Sequence, residues 1–371
     1  MTAAPTASGG NSRLGTAVRA ARRLVFYPAA ALALPTLSAG VGLAVMLVVV
    51  AALGFPPGVV APAFIGAVMG DAERLSATLL LACPLMIIGT GLALSFRCGV
   101  WNIGADGQYL VGALAGAATA PYVGGWPSAA ALGACLLAGV AAGGLWAAVA
   151  ALLQYSRGVP DVLATILLNF VAIQVLSIVV RGPLADPLSA DRDTTAAIPA
   201  AAEIPLLYGP GGLHAGIALA VFLAAMLSVF LSRTTWGLRT RIVGLNPIAA
   251  RFARIPVAAY ACGAFVASGA MGGLAGAVEV CGNTHYLTGA YSAGYGYTAI
   301  AVALLAGLRP LGVIPAALFF AALESGSRGM QKMPQAGLQD FPTVLTFAAQ
   351  GVVLLVSVLA ARRALERREA A

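Results

Sequence analysis

The chain has 371 residues, of which 60% are apolar and only 9% charged, and a formal net charge of +8. Soluble domains carry about 25% charged residues, so this composition, with a mean hydropathy of +0.92, excludes a water-soluble globular protein. It gives no ground for a nucleic-acid partner either, because the arginines stand at the ends of apolar runs instead of clustering on a soluble basic domain.

Residues 1–28 predict a cytoplasmic tail. Met1–Gly10 is small and polar, and Arg13, Arg19, Arg22 and Arg23 precede an apolar stretch too long for the core of a cleaved export signal. Residues 29–361 predict a single transmembrane domain, and 362–371 a cytoplasmic C-terminal tail. About 20 apolar residues cross the hydrocarbon as a helix, and long charge-free runs such as Gly107–Ser156 hold two such spans. The pattern predicts an all-α polytopic protein with about ten transmembrane helices: 31–54, 76–96, 103–122, 128–153, 161–181, 213–232, 257–278, 294–308, 311–326 and 341–360. A membrane barrel would alternate in strands of about ten residues, which this chain does not do. The spans at 294–308 and 311–326 are short, which points to tilt, re-entry or shelter by neighbours.

With Arg22 and Arg23 inside, alternation places 16 of the 21 basic residues on the same side and five outside, so that side is the cytoplasm and both termini lie there. On the outer side, Phe55–Arg74 with Pro56, Pro57 and Pro62 predicts a short interfacial helix. Gly182–Gly212, rich in proline, aspartate and alanine, predicts an exposed loop that can meet an external partner. On the inner side, Arg233–Arg254 holds five arginines and no acid, a docking surface for something in the cytoplasm. The five cysteines are scattered without a C-x-x-C spacing and read as packing residues, with no disulfide and no metal.

Two blocks interrupt the apolar pattern. In Arg97–Gln108, Gly99, Gly104 and Gly107 break helical periodicity while Asn102, Asp106 and Gln108 add polarity. That block is either a broken helix beside a transport path or a tight turn whose Asp106 caps the next helix. In Glu279–Tyr297, four tyrosines with Asn283, Thr284 and His285 either form an interfacial aromatic belt or face a flat polar ligand; His285 and Tyr295 are the candidates there. Asn169, within the fifth span, reads chiefly as a bond to a neighbouring helix and secondarily as a pathway residue. Gly112-x-x-x-Gly116, Gly139-x-x-x-Gly143 and Gly272-x-x-x-Gly276 fit close helix packing, and the placing of the Gly-rich blocks near 102–116 and 272–296 suggests an internal inverted repeat. No phosphate loop or catalytic motif is present, so any ATP chemistry belongs to a partner.

These residues carry a resemblance. Gly91–Gln108, with Trp101-Asn-Ile-Gly-Ala-Asp-Gly-Gln108, Arg241-Ile-Val-Gly-Leu-Asn-Pro-Ile-Ala-Ala250 and Tyr295–Gly312 resemble, in order, three signatures of permease subunits of bacterial ABC importers for nucleosides and simple sugars. The likeness covers about 76–360. It implies an inner-membrane permease, the longer of a heterodimeric pair, powered by a separate ATPase that holds ATP and Mg, and fed by a substrate-binding lipoprotein. It also implies that Arg239, Arg241, Gly244, Asn246 and Arg251 shape or form a segment inserting into the ATPase. Asp106 stands where the family has glutamate, and Val159-Pro-Asp161 where it has Asn-Glu, which leaves roles for those carboxylates open. The rival reading is a stand-alone secondary transporter driven by an ion gradient, which would need intramembrane carboxylates; Asp106 and Glu279 are the candidates.

Overall fold

The computed structural model describes residues 55–189, 192–291 and 294–332, with isolated helical positions between 40 and 52 and between 348 and 356. The two predicted tails, and all but those positions of the predicted spans 31–54 and 341–360, lie outside the described residues. The described helices are α1 (Pro57–Met69), α2 (Ala72–Arg97), α3 (Ala105–Val123), α4 (Ser128–Arg157), α5 (Asp161–Arg181), α6 (Gly216–Arg233), α7 (Thr235–Leu245), α8 (Pro247–Phe252), α9 (Val257–Glu279), α10 (Tyr295–Leu305) and α11 (Pro310–Gln331).

Local chemistry sets the boundaries. Asp71 accepts the Arg74 amide at the start of α2 (2.8 Å), Pro127, Pro160 and Pro256 precede α4, α5 and α9, and Gly158 ends α4 in the left-handed region at φ 68°. Among the described residues, α2, α4, α5, α6, α9 with its π-helical extension Val280–Thr284, and α11 are long and apolar enough to cross a membrane. α3 fills the predicted span at 103–122, with Asp106 and Gln108 lowering its apolar character. α1 supplies the short helix expected within 55–74.

Two expectations change. The segment 294–308 is helical only over the 11 residues of α10, roughly 17 Å, too little to cross alone. The span predicted at 311–326 is instead a 22-residue helix reaching Gln331. Glu324 and Arg328, one turn apart, pair on its surface.

The core is a three-helix stack of α3, α4 and α9 in which glycines allow backbones to touch. A Cβ at Gly112 would overlap Gly273, one at Gly143 the Gly269 carbonyl, and one at Gly276 the Tyr109 carbonyl. The three glycine pairs singled out in the sequence therefore all lie within this stack, packed against the neighbouring helices.

The fold is not wholly helical. Pro205–Gly212 cannot hold a helix, and Leu206–Tyr208 (β1) pairs antiparallel with Leu213–His214 (β2). The loop before them is less free than expected. Leu188 is exposed, but Thr195 and Ile198 donate to the Leu287 and His285 carbonyls (both 2.9 Å), and Ile204 donates to that of Cys281 (2.8 Å). The chain from Thr195 to Ile204 is thus strapped over the end of α9.

Basic residues gather at both ends of α2. Arg97, at the end of α2, feels the charges of Arg241 and Arg309, whereas Arg74, at its start, lines a cavity with Arg328 and Lys332.

Candidate functional site

Two regions carry chemistry: a buried polar cluster partway along the helices and an exposed elbow at the Arg97 end. In the cluster, the backbone between α2 and α3 leaves the helical path over Gly99–Gly104 and is held by side chains. Asn102 and Gln108 clasp each other through both amides (2.9 and 3.0 Å), and Asn102 also donates to Ser268 on α9 (3.1 Å) and accepts from the Gly104 amide (3.0 Å). Both amides are buried, so the clasp satisfies groups that would otherwise be stranded in an apolar interior.

Asp106 stands in the first turn of α3 and accepts the Gly296 amide of the first turn of α10 (3.0 Å). Its carboxylate therefore lies at the positive N-terminal ends of two helices that begin at the same depth. Only glycine fits at 296, because a Cβ there would overlap the Asp106 backbone. The structure combines the two readings of this block: Asp106 occupies a helix start, and that start lies inside the helical array, against the first turn of α10.

Asn169, eight residues into α5 and buried, ties the cluster to that helix. It accepts the Gly107 amide (2.9 Å) and donates to the Ile103 carbonyl and to Tyr297 Oη (both 3.0 Å). The tyrosine block divides. Tyr295 and Tyr291 turn inward against Tyr109, Tyr295 edge-on at 5.6 Å and Tyr291 through a hydroxyl–hydroxyl bond of 2.6 Å, while Tyr286 and Tyr297 are exposed. Glu279, buried at the end of α9, accepts from Asn283 (2.6 Å). The sequence reading missed Tyr109 and Ser268. Tyr109 directly follows the polar run ending at Gln108, which was a usable signal; Ser268 had none among the small residues of α9.

His285 is not part of this cluster. It ends the π turn in the left-handed region at φ 58°, where His214 is its electrostatic neighbour. Burial, and then the charge of His285, lower the His214 pKa to about 4. Among the described residues no group of three or more His, Cys, Asp or Glu side chains is placed to hold a metal ion.

At the other end, α7 and α8 form the elbow. Thr234 caps α7 by accepting from Gly237 (3.0 Å), and Asn246 caps α8 by accepting from Ala249 (2.9 Å). Gly244 seats the elbow, since a Cβ there would overlap the Arg97 carbonyl oxygen. Arg239 lies 3.5 Å from the Tyr260 hydroxyl, whose ring also meets Trp236, which anchors α7 on the first turn of α9. Arg241 is half-buried toward Arg97, whereas Arg251 is exposed together with Leu245, Ile248 and Phe252, the last 86% exposed. Three large apolar side chains on a basic elbow form a surface that water does not favour.

The model of the branched-chain amino acid transport system permease component family matches residues 74–358. A glucose ABC transporter permease protein of Haloferax volcanii is 34% identical over 69% of this chain and 70% of its own length. A guanosine ABC transporter permease protein of Bacillus subtilis is 32% identical over 71% of this chain and 76% of its own. A nucleoside ABC transporter permease protein of Lactococcus lactis is 27% identical over 71% and 74%. No solved structure matches the chain.

Proposed function

The chain belongs to the branched-chain amino acid transport permease component family, and from that membership we propose that it is the membrane permease of an ABC importer moving nucleosides, or a related simple sugar, inward by alternating access. It is a multi-pass membrane protein and a transporter subunit, with ATP hydrolysis assigned to a partner chain. The printed substrates of its relatives, guanosine, nucleosides and glucose, support the substrate class.

The observation that carries the mechanism is the junction at Asp106. Two helices begin inside the array there, and non-helical backbone at that depth persists only where protein or a watery cavity satisfies it. Helix starts of this kind can rearrange around a ligand without unwinding a full span. In this reading Asn102, Gln108 and Asn169 position the pathway, and Asp106 and Tyr295 hold the α3–α10 junction together. His285 belongs to the outer rim and not to the ligand path.

The elbow supports the coupling half of the proposal. Leu245, Ile248, Phe252 and Arg251 meet the ATPase, while Arg239, Arg241, Gly244 and Asn246 hold α7 and α8 in shape. The remaining parts follow the same reading: an inner membrane, cytoplasmic termini, ten spans in two inverted halves, a second and shorter permease beside this one, and a lipoprotein delivering substrate to the 182–212 face. The ion-coupled alternative needs a carboxylate free to exchange an ion. Asp106 and Glu279 are both buried and bonded within the protein, which weighs against it.

Uptake of labelled guanosine, adenosine, uridine, ribose and glucose in cells with and without this gene tests the assignment. Uptake of at least one nucleoside or sugar should depend on the gene. Equal uptake of every compound in the two strains would discard the substrate class.

A further inference from the structure

The amide of Asn169 has only one workable orientation. Its Oδ1 accepts the Gly107 N–H (2.9 Å) and its Nδ2 donates to the Ile103 carbonyl (3.0 Å). Reversing the amide would set N–H against N–H and oxygen against oxygen. The second Nδ2 hydrogen therefore points at Tyr297 Oη, 3.0 Å away, and the tyrosine hydroxyl must accept. The proton of Tyr297 is left to be donated elsewhere, away from Asn169.

The side chain that carries this proton reaches the surface of this chain, with Tyr297 45% exposed. It is also deep. Asn169 lies eight residues into the 21-residue α5, roughly 12 Å from its start, and Tyr297 is the third residue of α10. Lipid at such depth offers no hydrogen-bond acceptor, so an exposed hydroxyl donor there is stable only against a watery path or what passes through it.

We propose that Tyr297 Oη donates a hydrogen bond to an acceptor on the transported ligand, a sugar oxygen or a carbonyl oxygen or ring nitrogen of a nucleobase, and that Asn169 is the positioning residue that aims it. The inference rests on the transport function above and adds a specificity-determining contact to it. Tyr297→Phe removes the hydroxyl and leaves the ring, so folding is preserved. Asn169→Ala would strand the Gly107 and Ile103 backbone groups and is not a clean test.

The experiment uses the complete transporter in cells, with labelled guanosine, uridine and ribose as probes and the amount of the permease pair recovered from membranes as a second readout. For a transported probe, Tyr297→Phe should raise the half-saturating concentration about three- to tenfold, the worth of a single hydrogen bond, with the maximal rate and the recovered pair unchanged. An unchanged half-saturating concentration for every transported probe overturns the inference alone. Unchanged half-saturation with reduced recovery of the pair assigns the hydroxyl to the permease–permease contact and also overturns it. Failure of the unsubstituted transporter to take up any probe removes the transport reading and this inference together.

Discussion

His214 Nδ1 accepts the Gly216 amide (3.1 Å), a bond that requires the neutral imidazole. With its pKa lowered to about 4 against about 6.5 in the unfolded chain, the unfolded state takes up the proton first as pH falls. The stabilisation is whole above about pH 6.5 and is lost between there and 4, up to ~3 kcal/mol for a side chain this buried. The melting temperature of the purified protein should therefore drop from pH 7.5 to 5, and His214→Gln should flatten that drop. Parallel pH curves for the two proteins would remove this role. At the residue scale the sequence marked His285 and passed over His214, because nothing in the composition of a Gly-Pro-Gly-Gly loop says that its histidine folds inward. It marked Asn102, Asp106, Gln108 and Asn169 well, since polar side chains within apolar spans need partners wherever they lie. Which partner each finds depends on the crossing of α3, α5, α9 and α10, and that the residue pattern does not hold.

Glycine sorts the helices of the core, and its positions are not equivalent. Gly276 and Gly112 face backbone atoms that cannot move aside, so Gly276→Ala or Gly112→Ala must part α9 from α3, at about 1–3 kcal/mol each. Gly263, in the same α9, has nothing within 4 Å of a built Cβ. There alanine should stabilise by up to about 1 kcal/mol, because glycine in a helix interior carries the greater entropy loss. Thermal unfolding in detergent would rank Gly263→Ala at or above the parent, with the other two clearly below. Loss of stability at all three positions would refute the packing argument. The same element scale shows where periodicity was sufficient. α4, α5, α6 and α9 begin and end within a few residues of their predicted spans, since proline, glycine and arginine punctuate them. It failed at 294–308, where the helix covers only the 11 residues of α10, and at α11, which runs past the predicted end at 326 to Gln331. The short strands β1 and β2 were equally invisible, being set by the chain ends they join.

Across the whole molecule, the charges divide between two ends, and at one of them a basic cluster coincides with exposed apolar side chains. α2 separates the Arg74, Arg328 and Lys332 group from the Arg97, Arg241 and Arg309 group, and the elbow built by α7 and α8 projects from the latter. The five arginines between 233 and 254 drew attention to this segment in the sequence, but the structure divides their work. Arg241 is half-buried and donates to the Gly237 carbonyl of its own helix, Arg239 is exposed but reaches the Tyr260 hydroxyl, and Leu245, Ile248, Phe252 and Arg251 stand exposed at the tip. A few central apolar side chains dominate binding at most protein interfaces, and a rim cation chiefly tunes the encounter rate. Phe252→Asp, or Ile248→Asp, should therefore lower ATPase recovered with the permease by about tenfold or more. Arg251→Ala should cost far less and mainly change the salt dependence of recovery. Because Phe252 and Ile248 contribute little to the core, both aspartate variants should still reach the membrane in normal amount. Full recovery of the ATPase by both would mean that the elbow grips its partner through charge alone, and would return the coupling role to Arg239 and Arg241.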